Sequence, residues 1–310
     1  MACALCAGNA WAQTFPSRPI RWVAPFPPGG TTDIVARIVA EKLTEALGQQ
    51  VTLDNRPGAG GNIAAEIVVR APADGYTVLT GFPGLAINPS LYAKLNYDPL
   101  KDLAPVILIS SAPLLMVVHP ALPVKTVREL IDLAKRRPGE LLFPSAGNGT
   151  SSHLGGEMFK TSAGIDIQHV PYKGSMQGMV DLLSGRMQLM VNPLPEMIPF
   201  AESGKLRAVA VTGLKRSSVM PDLPTVDETL RGFEITTWNG LMAPAQTPKE
   251  IIARLNAEIV KVLKAPATAK RMNELGLDTI ASTPQEFAEH LRRETDKWAK
   301  VVKAAGARIE

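Results

Sequence analysis

Residues 20–33 read Ile-Arg-Trp-Val-Ala-Pro-Phe-Pro-Pro-Gly-Gly-Thr-Thr-Asp, and this stretch sets the pattern of the whole chain. An apolar run predicts a strand over residues 20–24, a loop follows over 25–32, and residues 33–47 have the apolar period of a helix. Paired glycines let a ligand approach the backbone closely, and the free N–H groups at a helix start favour an anion. A simple strand–helix turn capped by Thr32 or Asp33 would carry the same residues, so this motif alone leaves both interpretations open.

The unit of strand, glycine-rich loop and helix recurs at residues 144–153, which read Pro-Ser-Ala-Gly-Asn-Gly-Thr-Ser-Ser-His. Backbone amides, small hydroxyls and a helix start are again brought together. Two such loops, one in each half of the chain, can face each other across a cleft. The pair is stronger evidence for a binding site than either loop alone. His153 fits at a helix start without any ligand role.

Further apolar runs alternate with helical patterns along the rest of the chain. They predict strands over residues 51–53, 76–80, 106–109, 114–118, 141–143, 167–170, 187–191 and 206–211. Such alternation is typical of βαβ units with mostly parallel sheets. An extended segment over 235–244 precedes a tail that we predict to be wholly helical. Capping boxes start at Thr126, Thr247 and Thr283.

The predicted fold class is α/β, with two Rossmann-like lobes joined by two crossovers and a cleft between them. We assign residues 13–121 plus 236–310 to lobe one and residues 122–235 to lobe two. The hinges are predicted near Leu122 and Thr237. Ligands of such sheets bind at the carboxyl ends of the strands, which places the predicted site in the cleft.

The composition excludes several classes of protein. The chain has 310 residues, 45% of them hydrophobic and 20% charged, unlike a disordered chain. Its formal net charge of +4 comes without a run of Lys or Arg, so no nucleic-acid partner is predicted. No apolar stretch approaches the ~20 residues that span a bilayer. The only cysteines are Cys3 and Cys6, so the body of the chain has no thiol for a disulfide, a zinc site or catalysis.

The first residues predict export. Residues 1–12 are small and apolar and end in Ala10-Trp11-Ala12, which matches the A-x-A pattern of a signal-peptide cleavage site. We interpret them as a truncated signal-peptide remnant, and expect a mature chain that starts near Gln13 in the periplasm. An ordinary frayed N-terminus is the alternative.

The sequence offers little for catalysis. The G-x-S-x-G elbow of α/β-hydrolases is absent. His153, Glu157 and His169 could supply three metal ligands, but their spacing is generic and H-E-x-x-H is missing. We therefore predict no catalytic residue, no metal and no cofactor.

Several segments together resemble a known family over nearly the whole mature chain. They are residues 16–20, 23–33, 55–62, 74–77, 149–150, 153–154, 170–174 and 240–244. On these motifs the chain is similar to the Bug-type periplasmic receptors, the substrate-binding components of the tripartite tricarboxylate transporter system.

The resemblance implies a two-lobed periplasmic binding-protein fold, type II-like, and a monomer. It implies a small carboxylate ligand, such as a dicarboxylate, an aromatic acid or an amino acid, delivered to the membrane subunits of the transporter. Backbone amides, hydroxyls and bridging waters would hold this ligand, without an arginine salt bridge. Two alternatives stay open: a secreted hydrolase of carboxylate esters, and a periplasmic co-receptor that presents its ligand to a membrane sensor.

The resemblance also assigns ligand-binding roles to individual residues. They are Phe26, Gly30, Thr31, Asp33, Gly81, Pro83, Ala146, Gly147, Gly149, Thr150, Ser151, Tyr172 and Asn192. Family members usually carry Asp where Asn192 stands, so the charge that an Asp would offer a ligand amine is absent here. The loop over residues 81–85 is apolar, which favours an aromatic or aliphatic acid over an amino acid. Lys173 is interpreted as peripheral.

Overall fold

The computed structural model describes residues 15–305 and residue 309, without the side chains of residues 304 and 305. The predicted signal-peptide remnant, residues 1–12 with both cysteines, lies outside these residues. In the described part of the chain, no helix is long and apolar enough to cross a bilayer.

The first part of the chain builds one side of a large sheet. Its elements are β1 (Ile20–Ala24), α1 (Thr31–Leu47), β2 (Val51–Asn55), a 3₁₀ turn (Ala59–Gly61), α2 (Asn62–Val69), β3 (Thr77–Gly81) and α3 (Gly84–Leu91). β1 lies between β2 and β3 and pairs with both in parallel. The buried indole of Trp22 on β1 donates a hydrogen bond to Thr80 Oγ1 on β3 at 2.8 Å.

The helix after β1 begins at Thr31, earlier than the predicted Asp33. Gly30 is its N-cap, with an extended backbone at φ −79° and ψ 164°, so the first turn already contains both threonines. The apolar face of α1 is buried through Val35, Val39 and Leu43, as the sequence period predicts.

The remaining elements follow in the same alternating order. They are β4 (Leu103–Val118), α4 (Val127–Arg136), β5 (Leu142–Ser145), α5 (Ser151–Ala163), β6 (Gln168–Pro171), α6 (Ser175–Leu183), β7 (Leu189–Pro193), α7 (Leu194–Glu202), β8 (Arg207–Val211), β9 (Thr236–Pro244), α8 (Lys249–Lys264), α9 (Pro266–Glu274), β10 (Asp278–Thr279) and α10 (Pro284–Ala305). The α/β class with two lobes is confirmed. The tail is not wholly helical, because β10 pairs with Ser110 and Ser111 of β4.

The two strands predicted over residues 106–109 and 114–118 are one long strand, β4. The polar residues between them pair with β9, Ser110 opposite Asn239 and Pro113 opposite Thr236. Past that point, Leu114–Val118 pairs with β7 and also lies beside β8. The strand therefore changes partners at Pro113, earlier than the predicted lobe boundary after residue 121. The exact division into lobes stays a proposal, which these pairings support.

The expectation of mostly parallel sheets is wrong. β1 with β2, β1 with β3, and β5 with β6 are parallel. The pairs made by β4, and the pair of β3 with β9, are antiparallel. Alternation of strands and helices predicts parallel neighbouring strands. β4 and β9 instead cross between the lobes in opposite directions. A local sequence pattern does not determine the direction in which a strand runs.

Of the three predicted capping boxes, the one at Thr283 forms in both directions, since Thr283 N also donates to Glu286. At Thr126 only the threonine half forms, because Glu129 accepts from Lys125 N instead. Thr126 Oγ1 accepts from Glu129 N at 3.2 Å, and Thr283 Oγ1 accepts from Glu286 N at 3.2 Å. The box at Thr247 is wrong. Pro248 takes the N-cap position of α8, and the hydroxyl of Thr247 is buried with no hydrogen-bond partner.

Candidate functional site

A cleft opens between the lobes at the carboxyl ends of their strands. Its space, counted to the open mouth, is about 690 Å³. Lobe one contributes the starts of α1 and α3. Lobe two contributes the starts of α5, α6 and α7. Five helix starts therefore border one cavity, and helix starts carry unpaired N–H groups and a partial positive charge.

The cleft wall contains most of the predicted ligand-binding residues. They are Phe26, Gly30, Thr31, Pro83, Ala146, Thr150, Ser151 and Asn192. The other predicted residues do not line it. They are Asp33, Gly81, Gly147, Gly149 and Tyr172.

Asp33 holds the lobe-one loop in place from behind. Its buried carboxylate accepts from Gly29 N at 3.0 Å, from the Arg37 guanidinium and from Asn55 Nδ2 at 3.0 Å. The same Asn55 amide donates to Phe26 O at 2.8 Å. Burial alone would raise the pKa of Asp33, but the hydrogen bonds from Arg37, Asn55 and Gly29 outweigh it and lower the pKa. Asp33 is thus a charged clamp for the loop.

Gly81 and Gly149 are required by packing. A Cβ at Gly81 would lie 3.0 Å from the Phe287 ring, at the point where β3 pairs with β9. Gly149 has φ +78°, and a Cβ there would lie 2.1 Å from Asn88 Oδ1 of lobe one. The family motif predicts that glycine is required at these positions. The structure shows the reason, because at each of them another part of the protein approaches the backbone too closely for a side chain.

Gly147 and Tyr172 line a neighbouring depression that shares Phe26 and Ala146 with the cleft. The Tyr172 hydroxyl donates to Asp181 Oδ2, away from the cleft. Lys173 borders the same depression and is exposed, so it stands outside the cleft, as its peripheral interpretation requires.

The lobe-two loop is organised by its own hydroxyls. Thr150 caps α5 by accepting from His153 N at 3.3 Å, and its hydroxyl donates to Gly147 O at 2.6 Å. Ser152 Oγ accepts from Ala146 N at 3.0 Å. Ser151 is the first residue of α5 and lines the cleft. Neither its backbone N–H nor its hydroxyl makes a hydrogen bond to another described residue.

His153 and His169 form a stacked pair behind this loop, with ring centroids 4.2 Å apart. His153 Nδ1 accepts from Gly149 N at 3.2 Å, and His169 Nε2 lies 2.6 Å from Ser145 Oγ. Burial lowers the pKa of His153 to about 4. Burial, with the charges of His153 and Lys160, lowers the pKa of His169 to about 3. Both rings are therefore neutral supports of the loop at neutral pH.

These contacts also address the metal and hydrolase alternatives. Among the described residues no group of three or more His, Cys, Asp or Glu side chains is arranged to hold a metal. Ser145 and His169 meet as a serine–histidine pair, but Ser145 is fully buried and does not line the cleft.

The sequence interpretation missed a buried acid, Glu196, in the first turn of α7. One of its oxygens accepts from Thr31 N at 2.7 Å and from Thr31 Oγ1 at 2.8 Å. The other accepts from Asn192 Nδ2 at 2.7 Å and from the Ser175 hydroxyl. Glu196 thus joins lobe two to the first turn of α1 in lobe one. The sequence does show an acid four residues after Asn192. Its role could not be predicted from that spacing, because its partner Thr31 is distant in sequence.

Further residues of the cleft wall were not among the predicted ones. They are Pro27, Pro28, Thr32, Phe82, Gly84, Ser152, Gly174, Ser175, Met176, Gln177, Pro193 and Thr237. Phe82 meets Phe26 edge to face at 5.6 Å and gives the cleft an apolar side. The hydroxyl oxygen of Thr32 and the amide oxygen of Asn192 are buried at the wall without a hydrogen-bond partner.

The lobes touch on both sides of the cleft. On one side, Gly60 and Gly149 approach Asn148 and Asn88 so closely that neither glycine has room for a Cβ. On the other side, Gly174 lies against the ring of Pro27. The fold is thus that of a two-lobed solute-binding protein, with its lobes in contact around an interlobe cavity bordered by helix starts.

Comparison with known proteins agrees with this class. Residues 35–307 match the tripartite tricarboxylate transporter family receptor, TctC. The chain belongs to this family, as its motifs predict.

Three solved structures illustrate the similarity. Rpa4515 of R. palustris, solved with adipate, is 40% identical with a TM-score of 0.93, and the match covers 95% of this chain and 100% of that one. The periplasmic binding protein BugD is 35% identical with a TM-score of 0.92, over 96% and 100% of the two chains. MatC of Rhodopseudomonas palustris, solved with malate, is 32% identical with a TM-score of 0.87, over 93% and 100%.

The buried histidine pair predicts a loss of stability in mild acid. The pKa of each ring is about 6.5 in the unfolded chain and is lowered by folding, so between pH 6.5 and about 4 the unfolded state binds more protons. Stability is therefore highest above pH 6.5 and falls with decreasing pH by up to about 1.4 kcal/mol per pH unit for each histidine. Urea unfolding at a series of pH values measures it.

The double variant His153→Asn, His169→Gln keeps a side-chain acceptor and donor near the same places and should flatten this slope. His119→Asn is the matched control, since His119 Nδ1 also accepts from a backbone N–H, that of Ala121, but His119 is only half-buried. An unchanged slope in the double variant would show that other groups cause the acid sensitivity.

Proposed function

We propose that this protein is a periplasmic receptor that captures a small carboxylate in the interlobe cleft and delivers it to the membrane subunits of a tripartite tricarboxylate-type transporter. The observation that carries the proposal is the convergence of helix starts and small hydroxyls on one cavity between two lobes. No arginine or lysine lies on the described cleft wall. The carboxylate is held by neutral donors.

The chemistry of the lobe-two side fits this role. The first turn of α5 borders the cleft through Ser151, whereas Ser175 at the start of α6 already donates to Glu196. Unpaired donors at the start of α5 form charge-assisted hydrogen bonds with a carboxylate, each worth about 1.5–3 kcal/mol before the cost of desolvation. Phe26 and Phe82 then cover the apolar body of the ligand.

The relatives support the ligand class without fixing the ligand. Rpa4515 and MatC share this fold and were solved with adipate and malate, two acids of different length. The same scaffold therefore accommodates different carboxylates through its loops. For this chain we propose a small carboxylate with an apolar body, bound by a monomer in the periplasm.

Gly30→Val tests whether the cleft is the binding site. The backbone of Gly30 is extended and suits valine, and a Cβ there would lie 3.6 Å from Glu196 Oε1, inside the cleft. We expect a folded protein that binds at least about tenfold more weakly, a loss of about 1.4 kcal/mol. Thermal-shift screening of mono-, di- and aromatic carboxylates finds the ligand, and calorimetry then compares the variants.

Lys173→Ala is the control, because Lys173 lies outside the cleft, and it should bind like the parent. Gly149→Val is unsuitable, since its positive φ and the contact with Asn88 predict misfolding. If folded Gly30→Val binds normally while Lys173→Ala does not, the ligand is anchored by a cation in the neighbouring depression.

Trp238 should report closure of the lobes. It lies on β9 opposite Ser111, beside the cleft residue Thr237, and its ring packs edge-on against Phe287 and His290 of α10. Bending of the crossing strands changes that packing, so ligand should change tryptophan fluorescence. Trp238→Phe should remove most of the change, in protein that starts at Gln13 and so lacks Trp11.

The matched controls are Trp22→Phe and Trp298→Phe, two buried indoles that donate to Thr80 and Glu294 within lobe one. Both variants should keep the ligand response. A full response in Trp238→Phe would place the hinge elsewhere.

A further inference from the structure

The cleft wall has one charged side chain among the described residues, and it is an acid. Glu196 is 8% exposed and lines the cavity, and no Lys, Arg or His side chain is on that wall. The acid is within 4 Å of no described cation, since every charge pair in the structure lies elsewhere. A receptor for anions thus has a negative charge built into its own binding cavity.

Neutral donors hold this charge in place. Thr31, Asn192 and Ser175 all donate to its carboxylate, and the start of α1 adds a favourable field. Because Thr31 belongs to lobe one and the other two donors to lobe two, the acid is fixed when the lobes are closed. The amide and hydroxyl of Thr31 are thereby used, and a ligand carboxylate finds neither of them free.

Two parts of the cleft wall therefore differ in polarity, and both belong to lobe two. The start of α5, at Ser151, presents unpaired N–H and O–H donors. The start of α7 presents the oxygens of Glu196, with the unpartnered amide oxygen of Asn192 buried next to them. The first region suits a carboxylate. The second repels a further carboxylate and accepts an apolar group or a hydrogen-bond donor.

We infer that Glu196 makes this receptor selective for ligands with a single carboxylate over dicarboxylates of the same length. The inference rests on the proposed function and names the substrate class of the same cleft. It also distinguishes this chain from the relatives solved with adipate and malate, for which the second carboxylate is part of the ligand.

The test is a panel of length-matched acids, measured by calorimetry at pH 7.5. The six-carbon set is hexanoate, 6-hydroxyhexanoate and adipate, and the four-carbon set is butyrate, 4-hydroxybutyrate and succinate. The parent protein should bind the tightest monocarboxylate of a set about tenfold or more tighter than the dicarboxylate of that set.

Glu196→Gln removes the charge and keeps the shape. The Ser175 hydroxyl can turn to accept, and the Asn192 amide can flip so that its unpartnered oxygen accepts from the new amide, so the variant should fold. We expect it to bind dicarboxylates about tenfold or more tighter than the parent, with monocarboxylates changed much less. Glu202→Gln, on the exposed end of the same helix, should leave the whole panel unchanged.

Three results would overturn the inference. The parent could bind a dicarboxylate as tightly as its matched monocarboxylate. Glu196→Gln could strengthen all acids equally, which would make Glu196 an internal stand-in for the ligand carboxylate. A folded Glu196→Gln could leave the ratio of the two classes unchanged. The proposed function fails in a different way, when no acid in either set binds the parent or the variant.

Discussion

The pairing of β4 with β9 is the constraint on which the binding cleft depends. Both strands run from one lobe toward the other, and they are hydrogen-bonded to each other from Leu103 opposite Pro244 to Pro113 opposite Thr236. Immediately after this ribbon, β4 joins β7 and β8 of lobe two. The two strands connect the lobes, and at Ala112 and Pro113 β4 is paired with β9 alone. We propose this point as the hinge that opens and closes the cleft.

The ribbon carries a group of buried polar atoms without partners. They are Ser110 Oγ, Trp238 Nε1 and both side-chain polar atoms of Asn239, with His290 Nε2 beside the Trp238 ring. Unpaired buried polar atoms are costly, so this part of the sheet is less favourable than a fully paired one. In the proposed receptor, ligand contacts supply the free-energy difference between the open and closed forms.

One cluster of hydrogen bonds joins the two lobes across the cleft. Glu196 accepts from Thr31 in the first turn of α1. Asp33, two residues further along the same helix, accepts from Gly29 and so holds the preceding loop. One acid joins the lobes and the other shapes the loop. In the proposed receptor, the charge of Glu196 is held by neutral donors and selects what the rest of the ligand can be.

Local patterns predicted the parts of the site that lie at strand–helix junctions. Gly30, Thr31, Thr150 and Ser151 are on the cleft wall because the sequence shows where a strand ends and a helix begins. The family motif also included Gly81 and Gly149. A motif shows that a residue type is required but not why, and at these two positions the reason is close packing.

Other features depended on contacts between distant residues. Glu196 and Thr31 are 165 residues apart, and no local period connects them. The continuity of β4 was missed for a similar reason, since its polar residues Ser110 and Ser111 are strand residues only because β9 and β10 lie beside them. Strand direction, and with it the mixed sheet, follows from the same long-range pairings.

A crystal structure with the carboxylate that raises the melting temperature most would show where and how the ligand is bound. We expect ligand density in the interlobe cleft, with its carboxylate on the first turn of α5. We also expect that Glu196 still accepts from Thr31, with an apolar or hydrogen-bond-donating end of the ligand against it. Density outside the cleft, or a ligand carboxylate in place of Glu196 at the start of α1, would contradict these expectations.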